Sequence, residues 1–185
     1  MTRVKICGIR KKAHAIAATE AGADFIMPSE ALNRSLNHFR KLLDQHSFES
    51  VGILAAAATF ASALFMPFQQ TFLSKQAKSR ENYQINPANA REAVLECMLN
   101  EQEGADMLLI QPAISSLDIL LQIRQKTLLP IGAFQISGEW AMIQAAAERG
   151  WINKDKALIE SLLAIKRAGA DFICTYGAKE VARLL

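Results

Sequence analysis

The sequence predicts an α/β protein in which short buried strands alternate with half-buried helices. A Gly-Ala-Asp motif followed by an apolar run occurs three times, at residues 22–24, 104–106 and 169–171. Each motif follows a helical pattern, and each run lacks polar alternation, as the doubly buried strands of parallel sheets do. At about 31 residues per unit, 185 residues hold about six strand–helix units. The predicted fold is therefore a shortened TIM-type (β/α) barrel.

The boundaries of the predicted elements come from apolar spacing and from cap residues. In the segment before Asp106, small or apolar residues recur at helical spacing, Asn86-Pro87 favours a helix start, and Gly104 favours a helix end. The same reading along the chain predicts strands at Val4–Gly8, Asp24–Pro28, Val51–Ala57, Asp106–Gln111, Pro130–Gln135 and Asp171–Tyr176. It predicts helices at about 11–21, 33–46, 87–102, 116–126, 139–149 and 155–168, and a last helix beginning near Lys179.

Composition limits the class of protein. Apolar residues make up 51% of the chain and charged residues 21%, which is typical of a folded globular domain. No linker or low-complexity stretch interrupts the chain, so a single domain over residues 1–185 is expected. The net charge of +3 is carried by dispersed basic residues, which argues against nucleic-acid binding. Three widely spaced cysteines without a C-x-x-C pattern predict free thiols, a cytoplasmic location and no metal cofactor.

One uncharged segment, residues 51–68, is long enough to be tested as a membrane span. Six of its eighteen residues are alanine, and it also contains Thr59, Ser62 and Pro67. A buried strand that leads into a short buried helix explains this composition equally well, so no membrane partner is expected.

Ligand sites in parallel α/β sheets lie at the carboxyl ends of the strands. Polar residues at predicted strand ends are therefore the candidate site residues. They are Cys7, Ser29, Thr59, Gln111, Gln135, Ser137 and Tyr176.

Long stretches of the chain from about Ala21 onward match one known family in order. They include "AGADFIMPSE", "YQINPANAREA", "EGADMLLIQPA", "QISGEWAMIQAAAERGW" and "TYGAKEVARLL". In these stretches the chain resembles porphobilinogen synthase (5-aminolevulinate dehydratase). The resemblance implies a TIM barrel and a lyase that condenses two 5-aminolevulinates into porphobilinogen for haem and other tetrapyrroles. Residues 1–20 are then a divergent or substituted first unit, and the earlier part of the family's barrel is expected to be missing.

The resemblance implies two catalytic lysines, each of which forms a Schiff base with one substrate. The first is the lysine of a "VKPA"-like motif that reads "IQPA" here, which places Gln111 at its position. The second precedes a "YASAF"-like stretch that reads "FASAL" here, which places Thr59 at its position. Neither an amide nor a hydroxyl forms an imine. We therefore expect this chain to be unable to catalyse the condensation.

The resemblance also implies two subsites for substrate carboxylates. Two arginines and a glutamine form one subsite, in which Gln69 replaces an arginine while Arg80 and Gln84 are retained. The other subsite uses a serine and a tyrosine, retained as Ser137 and Tyr176. Two structural alternatives stay open, since Ser137 also suits a helix N-cap and Tyr176 also suits packing at the barrel mouth. The expected partner is a 5-aminolevulinate-like carboxylate.

Two further features come with the resemblance to this family. Residues 69–82 correspond to its active-site lid. The zinc-binding cysteine cluster of many members lies upstream of the match, and because nothing here replaces it, no catalytic zinc is expected.

Three alternative functions remain open at this stage. An active synthase could use a displaced lysine, for which Lys5 is the candidate. The chain could instead be a structural subunit that forms a homo-oligomer or associates with a full-length homologue. Finally, "VKICGIR" resembles the first strand of phosphoribosylanthranilate isomerase, in which Cys7 would be the general base, although that family's later motifs do not follow.

Overall fold

The computed structural model describes residues 4–29, 36–66 and 84–185, and a six-stranded parallel sheet forms its centre. The strands pair in chain order, which is the order of a barrel. Each pair is parallel, and the predicted α/β architecture is confirmed. The strands are β1 (Lys5–Ile9), β2 (Phe25–Pro28), β3 (Gly52–Thr59), β4 (Met107–Gln111), β5 (Ile131–Gln135) and β6 (Phe172–Thr175).

Helices follow the strands, as a parallel sheet requires. Buried aliphatic residues of both layers form one core between the helices and the sheet, among them Ile53, Leu108, Ile123 and Ile165. The helices are α1 (Lys12–Glu20), α2 (Leu36–Gln45), α3 (Ala90–Gln102), α4 (Leu117–Arg124), α5 (Ser137–Glu148), α6 (Lys154–Arg167) and α7 (Ala178–Leu184).

Two helix starts differ from the predicted ones. Helix α3 begins at Ala90, because Asn89 is its N-cap and accepts a hydrogen bond from the Glu92 N–H at 3.2 Å. Asn86, the predicted cap, instead accepts the Ala88 N–H in a turn. Helix α5 begins at Ser137 itself, so the alternative role of Ser137 as an N-cap is wrong.

The uncharged segment from residue 51 contains a buried strand. All eight residues of β3 are buried, and a single 3-10 turn, Ala63–Phe65, follows it. Within the ranges that the structure describes, no helix is long and apolar enough to cross a membrane.

The sheet has an inner face that points away from the helices. On this face, Leu109 of β4 and Phe172 of β6 both lie over Gly132 of β5. A Cβ at Gly132 would lie 2.9 Å from Leu109 Cδ1 and 2.3 Å from Phe172 Cζ. Because side chains alternate along a strand, Gln111, Phe134 and other residues two positions away lie on the same face.

The repeated Gly-Ala-Asp motif ties each of three strands to the strand before it. The aspartate stands at the start of its own strand, and its carboxylate accepts the backbone N–H at the start of the preceding strand. The glycine has a positive φ, which turns the chain sharply from helix to strand. The bonds are Val4 N–H to Asp24 at 2.7 Å, Ile53 N–H to Asp106 at 2.7 Å, and Ile131 N–H to Asp171 at 2.8 Å.

Two of these aspartates also face an arginine from a helix. Arg40 of α2 lies 3.8 Å from Asp106, and Arg124 of α4 lies 2.8 Å from Asp171. Arg40 also donates to the backbone oxygens of Val51 and Phe48, which lead into β3. Each arginine therefore holds its helix against the beginning of a strand pair.

Candidate functional site

The carboxyl ends of β3 and β4 bring together the two positions at which the family resemblance implies lysines. Thr59 and Gln111 are register partners in the sheet. Gln111 Nε2 donates a hydrogen bond to Thr59 Oγ1 at 2.9 Å, and both residues are buried, at 2% and 6% exposure. A cis peptide bond joins Gln111 to Pro112, where the chain leaves the strand. The mouth of the sheet thus carries a neutral amide–hydroxyl pair at the two positions where the family resemblance implies amines.

Gln84 lies beside the same strand end. The next residue, Ile85, donates its N–H to the Thr59 carbonyl at 2.8 Å and accepts the Ala61 N–H at 2.9 Å. The side-chain Nε2 of Gln84 is buried and has no hydrogen-bond partner among the described residues. An amide donor in this state is suited to an added acceptor such as a carboxylate oxygen.

Ser137 and Tyr176 occupy the mouth at β5 and β6. Ser137 is the first residue of α5, two positions beyond the end of β5. Tyr176 directly follows β6, and its ring stacks on Phe134 with centroids 5.9 Å apart. Its side chain is 49% exposed, and partial burial raises the pKa of its hydroxyl above the usual range. A neutral hydroxyl of this kind can donate a hydrogen bond to an anion.

Other predicted site residues do not join this mouth or cannot be placed in it. Gln135 points to the helix side, because its Nε2 donates to Ser161 of α6 at 2.9 Å and its Oε1 accepts from Thr175 at 2.6 Å. Gln135 does lie at the carboxyl end of β5, as predicted, but its side chain does not face the mouth. Gln69, Arg80 and the lid segment 69–82 lie outside the described residues.

A buried carboxylate, Glu139, connects the two sides of the mouth. Its Oε1 accepts the Ile114 N–H at 2.6 Å, and its Oε2 accepts the N–H groups of Ile136 at 2.6 Å and Ala113 at 3.3 Å. Burial raises the pKa of Glu139, while the backbone N–H donors lower it. The sequence analysis missed this residue. The available signal was an acidic side chain in the first turn of a helix that directly follows a buried strand.

The side chains of β1 that carry the alternative functions lie at a different place on the sheet. Lys5 is the first residue of its strand, and its Nζ lies 4.0 Å from Met27 Sδ. Burial raises the pKa of the Cys174 thiol, the charge of Lys5 lowers it, and Cys7 raises it. By strand alternation, Cys7 lies on the same face of β1 as Lys5, and Cys174 lies on the same face of β6 as Phe172. Because the mouth lies at the carboxyl ends of the strands, the backbone of Lys5 is at the other end of β1.

The described residues do not fit the zinc site of the family. Such a site needs several cysteine thiolates or comparable ligands close together. Cys97 is buried in the core, and burial strongly raises its pKa, which disfavours the thiolate. In the parts of the chain with described coordinates, no three His, Cys, Asp or Glu side chains lie close enough together to hold a metal ion.

A parallel sheet wound in chain order, with polar groups at the carboxyl ends of its strands, defines a TIM-type α/β protein with a candidate ligand site at the barrel mouth. Comparison with known proteins identifies the family. The profile described as delta-aminolevulinic acid dehydratase matches residues 9–184. The chain therefore belongs to the delta-aminolevulinic acid dehydratase, or porphobilinogen synthase, family.

Individual relatives agree with this assignment. The chain is 44% identical to the dehydratase of Synechocystis sp. over 94% of its own length and 54% of the relative's. It is 45% identical to the Escherichia coli enzyme, in a match that covers 91% of this chain and 52% of that enzyme. The crystal structure of the Toxoplasma gondii enzyme with its product porphobilinogen superposes with a TM-score of 0.89 at 38% identity, over 94% of this chain and 50% of that one. The chain spans about half the length of the curated relatives it matches.

Proposed function

We propose that this chain binds a carboxylate-bearing molecule of the 5-aminolevulinate type without forming a Schiff base, and that it does not condense two such molecules. The observation that supports this proposal best is the hydrogen bond between Gln111 and Thr59. It pairs the two positions at which the reaction needs amines. In this proposal, residues 1–185 form one domain of a protein related to the enzymes of tetrapyrrole and haem biosynthesis.

The chemistry of the pair accounts for the expected loss of activity. An imine forms when an amine nitrogen lone pair attacks a carbonyl carbon, whereas the lone pair of an amide nitrogen is delocalised into its own carbonyl. The Thr59 hydroxyl has no nitrogen, and it already accepts the Gln111 hydrogen bond. Neither of these two residues therefore converts the ketone of a bound ligand into an imine.

Carboxylate binding rests on the groups that remain around the mouth. Gln84 offers a buried amide donor, and Ser137 and Tyr176 offer hydroxyls. Arg80 supplies a cation if it takes the place that the family resemblance implies. The arginine replaced by Gln69 removes one charge-assisted hydrogen bond, which is worth about 1.5–3 kcal/mol. Binding at millimolar strength is expected, and calorimetry that finds micromolar affinity would contradict this expectation.

Borohydride trapping tests the absence of a Schiff base. Incubation with 5-aminolevulinate and borohydride should leave the protein mass unchanged. Thr59→Lys combined with Gln111→Lys restores both amines and should gain a trapped adduct if the surrounding site is intact. The matched control is Lys5→Arg, because an adduct on the unmodified protein that disappears in this variant would establish the displaced-lysine alternative instead.

A structural role in an assembly is the second candidate function. Its support is that β1 and β6 each pair on one side only within the described sheet. Exposed strand edges are templates for pairing with another chain. The proposed partner is a second copy of this chain or a homologue of the same family.

A further inference from the structure

We infer that Glu139 is the positioning residue of the mouth: its carboxylate holds the segment after Gln111 and the turn before Ser137 in one fixed arrangement. This inference rests on the proposed carboxylate site for its functional meaning. The clamp itself is defined by hydrogen bonds between described residues.

The clamp joins two segments that leave neighbouring strands. Ala113 and Ile114 follow the cis Gln111–Pro112 bond at the end of β4, and Ile136 lies between β5 and Ser137. The carboxylate accepts an N–H from each side, at 2.6 Å from Ile114 and at 2.6 Å from Ile136. Because Glu139 is fully buried, water does not replace these bonds when they break.

Only an acceptor with two oxygens satisfies this arrangement. The donors at Ile114, Ala113 and Ile136 are all backbone N–H groups, and they approach both carboxylate oxygens. Glu139→Gln keeps the size of the side chain but places an NH₂ group against at least one of these donors. One side of the clamp should then open, and Ser137 should lose its fixed position relative to Gln111.

Hydrogen exchange and ligand binding together test the inference. In Glu139→Gln, the amide protons of Ile114 and Ile136 should exchange at least about tenfold faster, while amides of the distant strand β2 keep their rates. The affinity for 5-aminolevulinate should fall by about the same factor. Glu148→Gln, an exposed glutamate at the other end of α5, is the matched control and should change neither quantity.

The outcomes separate this inference from the proposed function. If the unmodified protein does not bind 5-aminolevulinate, the proposed function fails, yet the exchange rates still decide the role of Glu139. Unchanged rates at both amides, or acceleration spread evenly over the chain, would overturn the clamp. If Glu139→Gln does not fold, Glu139→Asp keeps the charge but shortens the reach, and the same local acceleration is expected and decides in the same way.

Discussion

A single glycine, Gly138, sets how closely the first turn of α5 approaches the turn after β3. A Cβ at this position would lie 2.3 Å from the Leu64 carbonyl oxygen and 2.6 Å from Leu64 Cα. These are backbone atoms, which cannot rotate away as a side chain does. The first turn of α5 and the turn after β3 therefore pack directly against each other, backbone against backbone.

Gly138→Ala should lower the free energy of unfolding by about 1–3 kcal/mol, because the added methyl group forces two packed segments apart. Urea denaturation followed by circular dichroism measures this change. Ala145→Ser, at an exposed position of the same helix, serves as the control and should stay close to the unmodified protein. An unchanged midpoint for Gly138→Ala would mean that the turn after β3 moves freely.

The three cysteines should differ sharply in reactivity. Cys7 is exposed, Cys174 is partly buried and Cys97 is fully buried. Burial raises the pKa of both Cys174 and Cys97, which lowers the fraction of reactive thiolate. Iodoacetamide should therefore label Cys7 first, Cys174 slowly and Cys97 only in denaturant, as peptide mass spectrometry can follow. Early labelling of Cys97 would contradict the described packing of α3.

At the scale of the element, the Gly-Ala-Asp corner, meaning the glycine turn together with the aspartate bond, fixes the register of three strand pairs: β1–β2, β3–β4 and β5–β6. A shift of one residue between parallel strands would move every inward side chain to the helix side. The aspartate bond to the start of the preceding strand prevents such a shift at the point where the pair begins. The arginines Arg40 and Arg124 add a second partner in two of the three corners.

Removing the charge from these corners should destabilise the sheet unevenly. Asp106→Asn and Asp171→Asn should each lower the free energy of unfolding by about 1–2 kcal/mol, discounted because both carboxylates are about half exposed. Asp24→Asn should have a smaller effect, since Asp24 forms no ion pair with another residue that the structure describes. Asp155→Asn in the first turn of α6 is the control. Chemical denaturation measures the free energy of unfolding of each variant. An equal decrease for all four variants would refute a specific role for the corners.

At the scale of the whole molecule, the sheet has two edges. β1 and β6 are not paired with each other among the described residues, and Val4 beside β1 is 47% exposed. We predict that the protein self-associates through these edges, with light scattering showing a mass that rises with concentration. Val4→Lys places a charge beside one edge and should weaken the association. A constant monomer mass for the unmodified protein would contradict the prediction.

The sequence predicted the α/β architecture and the placement of Thr59 and Gln111 at strand ends, because both depend on local patterns and on one rule about the carboxyl ends of parallel strands. It did not predict the clamp, because Glu139 binds residues 25 and 26 positions earlier in the chain. The orientation of Gln135 was missed for a similar reason: its partner Ser161 belongs to a helix 26 positions away. Such contacts form only when the helices pack on the sheet. The spacing of residues within a single helix or strand therefore does not predict them.

The Gly-Ala-Asp corner has a consequence for how barrels of this kind can change in length during evolution. Each corner couples one strand to its immediate predecessor, and the three corners join β1 to β2, β3 to β4 and β5 to β6, so the coupled unit is a pair of strands. A duplicated unit would bring its own coupling, and a deleted unit would leave the remaining couplings intact. A sheet of this kind can therefore gain or lose strands two at a time, and the aspartate bonds within the remaining strand pairs stay in place.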